Sequence, residues 1–170
     1  MNPRVRSIAT LVALGVVLLL AGLWGWSALS EPFPQEAKAP VCVDREFAKG
    51  DRVTRRDVTV SVQNAGTRVG LAGLTMDLLV EAGFHEGREG NTPGRRRVDR
   101  VEIWTEEPGS PAVKLVASHF GGADVVRRPA SEPGVLVVVG DGFDDLVAGR
   151  KAITAQGEVT VCGPPRRAAP

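Results

Sequence analysis

A mixed α/β (α+β) domain of the split βαβ, ferredoxin-like kind, a small sheet with two helices behind one transmembrane helix, is what this sequence predicts. Three observations carry the prediction: an uncharged apolar run over 8–29, an alternation of strand and helix periods after it, and the unbroken aliphatic stretch Val135 to Val139.

The run from Ile8 to Leu29 is about 22 residues, or roughly 33 Å of helix, enough for a bilayer core of about 30 Å. Arg4 and Arg6 precede it, and Glu31 and Glu36 lie beyond its end. The positive-inside rule therefore keeps 1–7 in the cytoplasm and sends the rest outside, as a single-pass protein of the cell membrane. Trp24 and Trp26 suit an interfacial aromatic belt. Cleavage as a signal peptide, with Ala28 and Ser30 as the small residues of a processing site, is the rival reading, although secretory apolar regions run only about 7 to 15 residues. Both readings place the remainder of the chain beyond the membrane. Residues 30–41, with Pro32, Pro34 and Pro40, form a semi-extended stalk. A single extracytoplasmic domain is expected over 42–163, with a disordered tail over 164–170.

Within that domain Val58, Val60 and Val62 alternate with Thr59 and Ser61, the period of a strand with one buried face. Asn64-Ala65-Gly66 makes a turn, and a helical pattern runs from about Arg68 to Ala82, closed by Gly83. That helix is apolar nearly all round, with Asp77 and Glu81 on one narrow stripe. A short strand over Phe84 to Arg88 and a turn at 91–94 lead into a strand over Val98 to Thr105. There Val101 and Ile103 face one way and Arg100, Glu102 and Trp104 the other. Ser110 and Pro111 announce a second helix that stops at Gly121-Gly122. Strands over Ala123 to Arg127 and Gly134 to Val139 complete the split βαβ order. The second of these has no polar residue from Val135 to Val139, the mark of a strand buried on both faces.

Charge excludes little by itself. With 21 Lys and Arg against 20 Asp and Glu, the net charge of +1 gives no basis for nucleic-acid binding. The only cysteines, Cys42 and Cys162, each in a β-prone stretch, bracket the domain, and an oxidising compartment favours one disulfide between them. Two unpaired thiols or a metal pair are the alternatives, the latter poor without a nearby His.

No catalytic constellation is visible. His85 and His119 are the only histidines, and neither accompanies a nucleophile motif. Asp141, Asp144 and Asp145 match no calcium loop, so neither a metal nor a cofactor is expected. The best candidate ligand site is basic. Arg95, Arg96, Arg97 and Arg100, with Arg88 just before them, crowd one predicted hairpin, and guanidinium groups grip phosphates and carboxylates bidentately. A solvated charged hairpin is the plainer reading of the same residues. Arg68 joins the candidates because the loop Gly66-Thr67-Arg68, ahead of a helix, could hold an anion on its main-chain N–H groups.

Taken in order, Val58-x-Val60-x-Val62-Gln63-Asn64-Ala65-Gly66, then Gly70-Leu71-Ala72, then Leu78 to Phe84, then Val137-Val138-Val139-Gly140-Asp141-Gly142-Phe143 resemble the LytR C-terminal domain, an accessory module of cell-wall ligases. Members usually end the last strand with Gly-x-Asp-Phe, whereas this chain has Gly-Asp-Gly-Phe. No ligase domain is expected alongside it, and the chain looks like the stand-alone, membrane-anchored members, among them envelope integrity proteins of actinobacteria. The resemblance implies a non-catalytic role in envelope integrity or assembly, with the cytoplasmic membrane and an anionic wall polymer or envelope proteins as partners. The alternative is an enzyme acting on lipid-linked or wall glycopolymer phosphates through the arginines and Asp141.

Overall fold

The computed structural model describes residues 3–30, 40–94 and 97–165, and in the N-terminal helix the side chains of 12–24 and 26. The chain divides into two compact units, 1–39 and 40–170. The first contains helix α1 (Pro3–Ser30). Val12, Leu18, Leu23, Trp24 and Trp26 are all exposed along it. Among the described residues no helix is long and apolar enough to cross a membrane. The span expected over 8–29 is therefore not supported among the described residues. The side chains flanking that span, most of the stalk and the end of the tail lie outside the described residues.

In the second unit, β1 (Val43–Phe47) and β2 (Arg52–Thr54) lead through a 3-10 turn at Arg55–Asp57 into β3 (Thr59–Asn64). Helix α2 (Leu71–Glu81) and β4 (His85–Asn91) come next, then β5 (Val101–Thr105), α3 (Pro111–Ala117) and β6 (Asp124–Arg127). The order closes with β7 (Val135–Val139), β8 (Ala152–Thr154) and β9 (Val159–Gly163). The mixed α and β content is as the sequence predicts, and so is the left-handed Gly83 that ends α2, at φ +99°. Helix α2 begins three residues later than its periodicity implies. Gly70, at φ +78°, caps it from the left-handed region, and the residues before it are held in a loop.

The topology departs from the split βαβ plan. The five-stranded sheet runs β4-β3-β7-β5-β6. In β3-α2-β4 and in β5-α3-β6 the strands joined through a helix are direct parallel neighbours, with no strand inserted between them. Strand β7 lies between the two strand–helix–strand pairs, parallel to β3 and antiparallel to β5. The hairpin expected between 84–88 and 98–105 therefore does not form: β3 and β7 separate β4 from β5, and the connection crosses their ends. Two ribbons, β1 with β9 and β2 with β8, are antiparallel additions.

Both helices cover one face of the sheet. Val60, Val62, Val137, Val139, Val101 and Ile103 from the strands share one core with Leu71, Met76 and Leu79 of α2 and Leu115 and Val116 of α3. On the opposite face Trp104, Leu136, Val138 and Val98 form a smaller cluster. The segment between β6 and β7 lies over part of that face. Its Pro133 carbonyl accepts the Ser61 hydroxyl at 2.6 Å, and the Arg128 guanidinium sits 4.7 Å above the Trp104 ring. Strand β7 is thus sealed on both sides, with Leu136 to Val139 at zero exposure.

Cys42 and Cys162 form the expected disulfide, with Cα atoms 5.5 Å apart and a sequence separation of 120. It sits beside the β1–β9 ribbon, where the Arg45 guanidinium donates to the Pro164 carbonyl at 2.9 Å and pairs with Asp57 at 3.4 Å.

The fully buried Phe143 packs its ring 5.6 Å from that of Phe120. Phe143→Ala should lower unfolding free energy by about 3 to 5 kcal/mol in a urea titration, the usual cost of an aromatic-sized cavity. A loss below about 1 kcal/mol would show that the turn bearing Phe143 is not part of the cooperative core.

Candidate functional site

The motif residues meet where β3, β4 and β7 end and α2 begins. Asn64, the last residue of β3, accepts the Gly66 N–H on its Oδ1 at 2.8 Å and donates from Nδ2 to the Arg68 carbonyl at 2.7 Å. This side-chain turn bends the chain and aims the next N–H groups outward. They find Asp141. Its Oδ1 accepts from the Thr67 N–H at 2.7 Å and the Arg68 N–H at 2.9 Å, and its Oδ2 accepts the Thr67 hydroxyl at 2.9 Å. The N–H groups of Arg68 and Thr67 hold the Asp141 carboxyl below its usual pKa, with the Thr67 hydroxyl and the nearby Arg68 charge adding to the shift. Gly66 makes the approach possible, since a Cβ there would overlap the carboxylate. Gly140 has the same role on the other side of Asp141, where a Cβ would overlap the Val98 carbonyl. The turn is pinned by N–H donation from Gly140 to the Arg100 carbonyl and from Gly142 to the Asp99 carbonyl.

Among the described residues the candidate arginines are distributed rather than gathered. Arg68 donates from Nη1 to the carbonyls of Phe143 at 2.6 Å and Asp141 at 3.3 Å, so it braces the turn. Arg100 reaches the Phe120 carbonyl at 3.5 Å. Arg88, on edge strand β4, pairs with Glu132 at 3.6 Å and ties down the segment between β6 and β7. Arg97 is exposed on the crossover. Arg95 and Arg96 lie outside the described residues. The structure thus brings Arg68 and Arg100 to one turn and sends Arg88 elsewhere.

Two hollows were not legible in the sequence. A groove of about 180 Å³ between the start of α2 and the end of β4 is lined by Asn64, Gly70, Gly73, Glu89 and Asn91. A crevice of about 390 Å³ at the carboxyl end of β5 is lined by Trp104, Glu106, Glu107, Ser110, Val113 and Thr160 among others. Each lies at the carboxyl end of a strand in a parallel pair, the usual ligand position in such units. No periodicity or spacing signals them, because each is made by segments distant in sequence.

Among the described residues no group of three or more His, Cys, Asp and Glu could hold a metal. Asp144 and Asp145 are exposed, and Asp145 accepts the N–H of Leu146. His85 is half-buried at the start of β4. His119 is 2 % exposed, with its ring 5.0 Å from Phe84 in an edge contact. Its Nδ1 lies 3.0 Å from the Leu115 carbonyl, which requires Nδ1 to be the donor, and Nε2 has no hydrogen-bond partner among the described residues. Burial lowers its pKa from 6.5, and the nearby Arg55 charge acts in the same direction, against the bond to Leu115. The neutral ring is therefore a packing element.

The unfolded chain binds a proton at His119 more readily than the folded one, so stability should be complete above about pH 6.5 and fall as pH drops toward the lowered folded value. Melting temperatures of wild type and His119→Gln between pH 7.5 and 5 test this. The variant should lose part of the acid slope, and parallel curves would contradict the assignment.

Residues 57–143 match the family described as LytR cell envelope-related transcriptional attenuator. That stretch runs from the 3-10 turn to the Asp141 turn and contains both parallel-pair units. Among solved structures, the chain is similar to the soluble domain of a conserved hypothetical secreted protein from Mycobacterium marinum. The identity is 22%, covering 61% of this chain and 79% of that chain, with a TM-score of 0.49. No curated protein matches it. By the match over more than half its length, and with its motif residues gathered around the Asp141 turn, this chain belongs to the LytR C-terminal domain family, a family related to the cell envelope.

Proposed function

We propose that this is a non-catalytic, membrane-anchored envelope protein whose LytR C-terminal domain supports envelope integrity or assembly by binding wall polymers or partner proteins. The family match carries the reading. The apolar sequence over 8–29 and its flanking arginines support a single-pass anchor with the N-terminus inside and the domain outside. The disulfide supports the same placement, because such bonds persist in oxidising compartments. Motif residues of types that do chemistry in enzymes here make structural bonds: Asn64, Arg68 and Asp141 hydrogen-bond one another's loops.

In the native host, the full chain should stay in the membrane pellet through alkaline washing, and a C-terminal reporter that works only outside the cytoplasm should be active. Crosslinking in intact cells should attach wall polymer or an envelope protein, and deletion should raise envelope permeability. A cytosolic reporter signal, or an intact barrier with nothing crosslinked, would reject the reading. Turnover of polyprenyl-linked glycan by the purified chain would replace it with the enzymatic alternative.

A further inference from the structure

The five-stranded sheet ends in two edges of opposite character. At β4 the register with β3 shifts between Val60 and Val62, and the strand carries Glu86, Arg88 and Glu89 among glycines, the irregularity and charge that keep an edge from pairing. At β6 the register with β5 is unbroken from Asp124 to Arg127, and among the described residues no strand lies beyond it. The Arg128 N–H donates to the Thr105 carbonyl and continues that ladder. Main-chain groups alternate along a strand, so Val126 directs its N–H and C=O at β5 while Val125 and Arg127 turn theirs outward. Val125 is 38 % exposed, and Arg127 is exposed beside it.

This edge is complementary to itself. An antiparallel pair of β6 strands about a two-fold axis can centre on Val125, Val126 or Arg127. Centred on Arg127, it opposes two guanidinium groups and sets Val125 against Pro129, which has no N–H. Centred on Val125, it leaves Asp124 facing Val126 and the charges unmatched. Centred on Val126, it lets Val125 of each copy exchange main-chain bonds with Arg127 of the other, and Asp124 faces Arg128 of the other. That contact lies on the face where Val126 packs against the smaller cluster. Within its own sheet Asp124 has Glu102, a like charge, as its cross-strand neighbour, and it makes no ion pair among the described residues. A second copy supplies the missing cation. We propose that β6 is a dimerisation edge, paired antiparallel with β6 of a second copy about an axis at Val126, so that two five-stranded sheets become one. The pairing holds whether or not the domain binds wall polymer, and so short an edge makes a weak dimer.

Facing residues of a non-hydrogen-bonded antiparallel pair have Cα atoms about 4.5 Å apart, within reach of a disulfide. Full-length Val126→Cys, oxidised mildly in host membranes, should therefore run as a linked homodimer on a non-reducing gel, and Val125→Cys and the wild-type chain should not. In the Val126→Cys background, Asp124→Lys or Arg128→Glu alone should lower the linked fraction about tenfold. Co-expressing these two variants sets Lys against Glu and Arg against Asp across the axis, and should restore linkage between them. No homodimer from a folded Val126→Cys, linkage through Val125→Cys in its place, a yield indifferent to the charge changes, or a disulfide formed only to another protein each overturns the pairing. Should Val126→Cys not fold, sedimentation of full-length Asp124→Lys and Arg128→Glu in detergent decides. Dimers in the mixture and monomers apart support the proposal, and one common state in all three samples overturns it.

Discussion

Strand β7 is the constraint on which the rest of the sheet depends. It pairs with β3 on one side and β5 on the other, so both strand–helix–strand units take their register from it. Its side chains are buried on both faces, which fixes that register strongly: a slip by one residue would exchange the set facing the helices with the set facing the smaller cluster. Because the units flank one strand with their helices on the same face, α2 and α3 contribute to a single core. The carboxyl end of β7 then delivers Asp141 and Phe143 to opposite duties, one into solvent and the other into that core.

Faces were legible in the sequence; neighbours were not. Alternation in Val58 to Val62 and in Val101 to Trp104 reports which side of a strand meets the main core, and the valines and Ile103 lie there while Trp104 lies in the cluster opposite. Thr59 and Ser61 are buried as well, because the segment between β6 and β7 covers the second face, a long-range contact that alternation does not register. The apolar run of β7 likewise announces a strand without a wet face. Nothing in a period says which strand lies beside which, so the insertion of β7 between the two units is invisible in it, and a hairpin is predicted where a crossover exists. Strands β2 and β8 carry no signal because three residues are too few to show a period. The helical pattern before Leu71 is overridden by Asn64 and Asp141, whose hydrogen bonds hold Gly66 to Arg68 in a loop.

The candidate site was legible in its chemistry and not in its contents. A glycine with Thr and Arg after it, ahead of a helix, reads as an anion holder, and in the fold the N–H groups of Thr67 and Arg68 are taken by the Asp141 carboxylate. That the anion belongs to the same chain could not be read from local spacing. The arginines show a related limit. Guanidinium groups satisfy main-chain carbonyls as readily as external phosphates, and Arg68 and Arg100 do so at Phe143 and Phe120. Arg88 and Arg100, near each other in sequence, become separate braces once the crossover carries them apart.

Val43 pairs with Gly163, so the two ends of the domain leave side by side from one ribbon, with a covalent link between Cys42 and Cys162 next to it. Tension applied between those ends would pass through sulfur instead of through the hydrogen bonds of the sheet. In a module built this way, a pull on its two ends loads the bridge while the interior remains mechanically unloaded.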